Sequence, residues 1–306
     1  MPPSKLREGQ LVQNPKTPSL GPGKVVAVAG DIIHVIWRDA NEQQSALKYR
    51  QETLVLAEIQ SDPILDNLPP LREVAGKWLL PAKRLMVADA VAKFTAQFPN
   101  GFYDPAYYGD RNCGERNYKL EATYHYEELL GLGQARQLLE KGDLEELSRR
   151  TLKVLASINY LDKRFGEPLF KEALADRSAA SRYFMALFNL LDAPTVSEET
   201  FSPYAEAVCE LPVMRRSGRV ATWPVATALP YIAQPHRHVY LKPSETQAAA
   251  DRLGFNLNYS ASPNWRTYSC YLKMCDIYRD LLTELKPRDY IDIQSFIYVT
   301  CGGYDR

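Results

Sequence analysis

The chain changes its hydrophobic period once, and that change constrains its fold more than any other feature. Between residues 9 and 56, short apolar runs ("GQLVQNP", "KVVAVAG", "DIIHVIWRD", "SALKYR", "TLVLAE") are separated by turns containing Gly, Pro and Asn. Runs of that length and punctuation predict strands. Residues 26–28 and 32–37 are joined by Gly30-Asp31, so a tight hairpin is expected there. From Val87 the spacing becomes helical: Val87, Val91, Phe94 and Phe98 fall on one face until Pro99-Asn100-Gly101 stops the pattern. Residues 58–83 hold four prolines and no sustained period, as a connector would. Further helices are expected at about 115–130, 143–160, 167–175, 178–191 and 197–210. Ser262-Pro263 then predicts an N-cap and first helical residue, with Trp265, Tyr268, Leu272, Cys275, Leu282 and Leu285 along one face. The expected architecture is α+β: a small N-terminal β-barrel over 1–57, a linker over 58–83 and a mostly α-helical domain over 84–306.

At 306 residues, 45% of them hydrophobic, the chain can fill more than one core. Lys plus Arg equals Asp plus Glu at 37 each, so attraction to a polyanion would have to come from a local basic face. The five cysteines, Cys113, Cys209, Cys270, Cys275 and Cys301, are scattered without a CxxC pair and read as reduced thiols. No secretory leader pattern and no apolar run of about 20 residues is present, which predicts a cytoplasmic protein with no membrane partner.

The segment from Cys209 onward has an ordered set of features. "CELPVMRRSGRVATWPVATALPYIAQP" reads as a helix end, a Leu-Pro, a turn with two arginines and Ser217-Gly218, and a second apolar helix closing at Pro235. After it come "HRHVYLKPSETQAAADRLGF", the long helix from Pro263, and "KPRDYIDIQSFIYVTCGG". In that order the segment resembles the core of the helix-hairpin-helix DNA glycosylases, the superfamily of endonuclease III. Leu211-Pro212, Gly218, Pro235, Tyr240-Leu241, Arg252-Leu253-Gly254 and Asp292 fall where that superfamily has its motifs. The N-terminal "GQLVQNPKTPSLGPGKVVAVAGDIIHVIW" resembles SH3-like or Tudor-like modules appended to bacterial helicases and transcription-coupling factors. The chain also departs from the glycosylase pattern. "MRRSGR" replaces the two-glycine hairpin, Thr222 and Trp223 occupy the region of the lyase lysine, and Lys242 or Pro243 occupies the position of the catalytic aspartate. The four-cysteine cluster of some members is absent.

The resemblance implies a monofunctional DNA N-glycosylase that acts on double-stranded DNA with a flipped nucleotide and requires no cofactor or metal. Its altered aspartate position suggests a modified or damaged base, in repair or in defence against modified phage DNA. It also implies an N-terminal barrel available to a protein partner. The alternative is a non-catalytic adaptor that docks on a polymerase or helicase and holds DNA by its hairpin arginines.

Hydrolysis of an N-glycosidic bond develops positive charge on the sugar and negative charge on the departing base. A site therefore needs a carboxylate, hydrogen-bond donors and a positioned water. Asp292, among Tyr290, Ile291, Ile293, Phe296 and Ile297, is the first carboxylate candidate. Its other reading is an N-cap of the terminal helix, for which Asp289 competes. Lys242 could hold a phosphate or polarise the base, or be a surface lysine before a helix. His236, Arg237 and His238 offer donors, or form an exposed loop. The tyrosine-rich "NGFYDPAYYGDRNCGERNYKLEATYHY" is either a base pocket or a long structured loop. In the pocket reading, Tyr118 and Lys119 line it and Glu115 is a second catalytic carboxylate. Trp223 and Gln294 complete the expected substrate contacts. Arg215, Arg216, Gly218 and Arg219 are expected to hold DNA phosphates.

Overall fold

The computed structural model describes residues 5–109, 114–164, 166–213 and 218–303. The chain divides into two units: residues 1–93 with 247–257, and residues 94–246 with 258–306.

In the first unit the expected hairpin forms between β2 (Gly23–Ala29) and β3 (Ile32–Trp37), with Ala29 opposite Ile32. Gly30 takes φ +63° at the turn, a conformation a side chain would strain. With β1 (Leu11–Gln13), β4 (Leu47–Arg50) and β5 (Val55–Leu56) these strands make an antiparallel sheet in the order β4-β3-β2-β1-β5. The sheet is open. The barrel expected from the sequence does not close, because β4 and β5 stand at opposite edges and β5 is only two residues long.

The apolar run in β3 reflects burial on both faces. Ile33, Val35 and Trp37 pack with Leu6, Val12, Val25 and Leu54 on one side. Ile36 packs with Leu11, Ala46, Leu65 and Leu80 on the other. Leu65 and Leu80 belong to the stretch expected to be a linker. Instead residues 58–83 form a cover with a short hairpin, β6 (Arg72–Val74) and β7 (Lys77–Leu79), tied to the sheet layer by Ala46 N–H to Trp78 O and Leu80 N–H to Gln44 O, each 2.8 Å. A sheet covered in this way buries its second face without closing on itself.

Residues 247–257 join this unit through Arg84, which is 4% exposed. Its guanidinium donates to the carbonyls of Trp37 (2.6 Å), Arg38 (2.9 Å) and Leu253 (2.9 Å). Gly254, at φ +65°, lets the chain pass against it: a Cβ there would lie 2.5 Å from Arg84 Cδ. Arg84→Met is expected to lower stability by about 2–4 kcal/mol, because three carbonyls lose a charged donor at once. Urea denaturation would read this, and an unchanged midpoint would remove Arg84 as the clip.

The helices of the rest of the chain follow the expected spacing closely. α1 (Val87–Gln97) and α2 (Pro105–Tyr108) precede α3 (Asn117–Leu130), α4 (Leu132–Glu140), α5 (Leu144–Ala156), α6 (Gly166–Leu174), α7 (Arg177–Asp192) and α8 (Glu198–Cys209). Then come α9 (Trp223–Ala233), α10 (Pro243–Leu253), α11 (Trp265–Leu281) and α12 (Tyr290–Tyr298). α4 was not expected from the sequence: it fills the interval between the helices expected at 115–130 and 143–160, and only Gly131 divides it from α3. α11 starts after the expected cap: Asn264, not Ser262, accepts from Thr267 N–H at 2.9 Å. Asp289 caps α12, accepting from Ile291 N–H (3.0 Å) and Asp292 N–H (3.3 Å). Among the described residues no helix is long and apolar enough to cross a membrane.

Candidate active site

α3 and α12 place polar residues at their N-terminal ends, and this is where the site begins. Asp292, fully buried in the first turn of α12, is a hub of cationic donors. Its Oδ1 accepts from Tyr107 Oη (2.7 Å) and Arg116 Nη1 (2.8 Å), and its Oδ2 accepts from Arg288 N–H and Nε (each 2.9 Å). Arg116 reaches the capping Asp289 as well, at 2.7 and 2.9 Å. Burial alone would lower the pKa of Arg116, but the hydrogen bond to Asp289 and the charge of Asp292 raise it above the ordinary arginine value. Burial and the neighbouring Asp292 push Tyr107 well above the usual phenol range, so its hydroxyl stays a donor.

One turn further, Lys119 forms a second node. Its side chain is 1% exposed. Nζ lies 2.8 Å from Glu115 Oε2, 2.7 Å from Gln294 Oε1 and 2.7 Å from Ser295 Oγ. The Ser295 hydroxyl spends its own hydrogen on Ile291 O (2.7 Å), so it accepts from the lysine. Three N–H donors thus meet three acceptors, the pairing of an ammonium. Burial pushes the pKa of Lys119 below the ordinary lysine range, and Glu115 pulls it back up.

In front of this node lies a cavity of about 830 Å³, within the size range of small-molecule sites. α3 contributes Tyr118, Glu121 and His125, one stripe at i, i+3 and i+7, and α12 contributes Gln294 and Tyr298 at i and i+4. Glu115 lines it from just before α3, Tyr160, Asp162 and Lys163 from the loop after α5, and Tyr240 and Lys242 from the stretch before α10. Tyr160 and Tyr240 stack at 4.1 Å. Lys242 stands 4.6 Å over the Tyr298 ring and 2.9 Å from Glu245, with a third of its side chain open to solvent. Although burial would raise the Glu245 carboxyl, hydrogen bonds from Ser244 and Lys242 hold it below its usual range. A second cleft of about 550 Å³ shares Asp162 and Pro224 with the cavity, and Gly218 and Arg219 line it. At Gly218 a Cβ would fall 2.4 Å from Leu169 Cδ1.

The structure thus gathers Glu115, Tyr118, Lys242 and Gln294 around one space, with Lys119 behind them. Asp292 lines neither cavity: its oxygens are taken by Tyr107, Arg116 and Arg288. His236, Arg237, His238 and Trp223 line neither as well. Trp223 is 1% exposed, with its indole N–H on Ser260 O at 2.7 Å. Arg237 donates to Gln234 Oε1 (3.1 Å) and to the carbonyl of Ala193. His236 is exposed, while His238 is fully buried with Nδ1 3.0 Å from Tyr268 Oη. Burial and the adjacent Arg237 and His236 push His238 down to about 3, so it is a neutral core residue. Arg215 and Arg216 lie outside the described residues.

Glu121, His125, Asp162 and Tyr298 were not singled out from the sequence. The stripe at 118, 121 and 125 was the available signal, a polar and aromatic face on a predicted helix. Among the described residues no group of three His, Cys, Asp or Glu is placed to hold a metal ion. Comparison with family models, with curated proteins and with solved structures returned no match.

Proposed function

We propose that the helical part of this chain is a DNA N-glycosylase that receives a flipped nucleotide in the cavity before α3 and α12, with Glu115 as its carboxylate. The observation that carries this reading is the convergence of Glu115, Tyr118, Lys242 and Gln294 on one concave space. Flipping enzymes need such a space, with aromatic walls for the base and charged groups for sugar and phosphate. One Glu115 oxygen is tied to Lys119, and no protein group among the described residues takes the other. Glu115 lines the cavity, and in this reading that second oxygen orients a water against C1′ as the C1′–N bond breaks. The water's oxygen bonds to C1′, its proton passes to the carboxylate, and the base leaves with the bonding pair and is then protonated.

Lys242 at the rim supplies a cation for the nucleotide's phosphate. The adjoining cleft, with Arg219 on its wall, offers a path for the neighbouring backbone. The altered aspartate position is compatible with this chemistry because the carboxylate comes from α3's approach rather than from residue 242 or 243.

Purified protein incubated with duplexes carrying uracil, hypoxanthine, oxidised, alkylated or glucosylated bases, then treated with hot alkali, is expected to cut at one class of base. Glu115→Gln is expected to reduce that cutting by about 100-fold or more while still melting cooperatively. Intact DNA across the whole panel would overturn the reading.

A further inference from the structure

Lys119 does more than neutralise Glu115: it decides which way the Gln294 carboxamide points. An ammonium has hydrogens to give and no lone pair to receive one. With Nζ 2.7 Å from the Gln294 side chain, the atom facing it must be the oxygen, Oε1. Turning the amide over would set its NH2 group against NH3⁺ inside a site where Gln294 itself is only 7% exposed. The NH2 group is therefore held on the side away from Lys119. Gln294 also lines the cavity, and no protein acceptor among the described residues takes its Nε2 hydrogens. A buried ammonium at the oxygen end further polarises the amide, which makes its N–H a stronger donor in a site of low dielectric.

We infer that Gln294 is a specificity-determining donor that selects a base with a carbonyl oxygen at purine C6 or pyrimidine C4, the keto class of hypoxanthine, guanine, uracil and thymine, over the class with an amino group there, adenine and cytosine. This rests on the glycosylase reading above. A keto oxygen accepts the fixed N–H, whereas an amino group at the same place sets hydrogen against hydrogen and leaves both donors without water. The preference grows during reaction. The departing keto base spreads its negative charge onto that oxygen, where a fixed donor backed by Lys119 is most favourable. Sites built around such a polar contact reject the wrong partner far more strongly than apolar pockets do.

The test uses two pairs of duplexes that differ by one substituent: hypoxanthine against adenine and uracil against cytosine. Abasic sites are measured with the full chain, and binding of inosine, adenosine, uridine and cytidine is measured by calorimetry. Wild type is expected to prefer the keto member of a pair by about 100-fold or more. Gln294→Glu, which keeps an oxygen for Lys119 but replaces the donor with an acceptor, is expected to abolish or reverse that preference in both readouts. Equal treatment of keto and amino members by wild type, or an unchanged preference in Gln294→Glu, would overturn the inference. Keto-selective nucleoside binding with no abasic sites on any DNA would overturn the glycosylase reading alone and leave the amide lock standing. Abasic sites without selectivity would do the reverse.

Discussion

Asp292→Ala is expected to unfold the helical part of the chain rather than to produce a folded, inactive protein. The carboxylate is fully buried and answers two guanidiniums, a phenol and a backbone N–H. Removing it leaves Arg116 and Arg288 facing each other without their shared counter-charge and Tyr107 without an acceptor. Breaking a buried ion pair from one side costs about 3–5 kcal/mol, and this one has two cationic partners. That is a large share of the ~5–15 kcal/mol that holds a typical domain. Asp292→Asn should cost somewhat less, since one amide oxygen remains to accept while its NH2 turns toward an arginine. Soluble yield and urea midpoint would show the effect. A variant that melts like wild type yet makes no abasic sites would return Asp292 to the role of reacting carboxylate.

The second large effect is expected at Lys119. Lys119→Met strands the Glu115 carboxylate, which is 3% exposed, and should cost about 3–5 kcal/mol. The double variant Lys119→Met, Glu115→Leu removes both charges and should recover most of that loss, because an apolar pair needs no desolvated counter-ion. A double variant no more stable than Lys119→Met would mean that the lysine acts mainly through Gln294 and Ser295.

The same residue gives a pH signature with a definite sign. Burial lowers its pKa in the folded chain relative to the unfolded one. Below the folded value both states carry the proton, and this group contributes no slope. Between the folded value and the ordinary 10.5 the unfolded chain binds one more proton, so this group's contribution to stability rises with pH. Recognition by Gln294 should fall over that window, because a neutral amine can accept and no longer forbids the amide flip. Keto selectivity that declines at alkaline pH while the chain remains folded is the expected pattern. A flat selectivity profile up to the onset of unfolding would contradict it.

How much of this was legible beforehand differs between the two layers of the structure. Strand and helix positions followed from local pattern: the Gly30 hairpin, the helices beginning near 117, 144, 166, 177 and 198, and the stop at Pro99-Asn100-Gly101 all depend on neighbours within a few residues. The expected cap at Ser262 missed by one motif because Asn264 offers a side-chain acceptor closer to the helix. Glu115, Tyr118, Lys119, Lys242 and Gln294 could be nominated by residue type and context. Asp292 could be recognised as a buried carboxylate, but its partners Tyr107 and Arg116 lie more than 170 positions away in the chain. Nothing local distinguishes a carboxylate saturated by arginines from one left open to water.

The chain's sequence by itself determined its period, its turns and the chemistry available in each segment, because these depend on steric and solvation preferences that act over a turn or a strand. Tertiary structure alone decided that the proline-rich 58–83 stretch covers a sheet instead of linking domains, and that the sheet stays open. It also decided which acids are spent on arginines and which face a cavity. Those outcomes depend on pairings between distant residues, where burial makes each missing partner costly and so selects one arrangement that no short window of sequence contains.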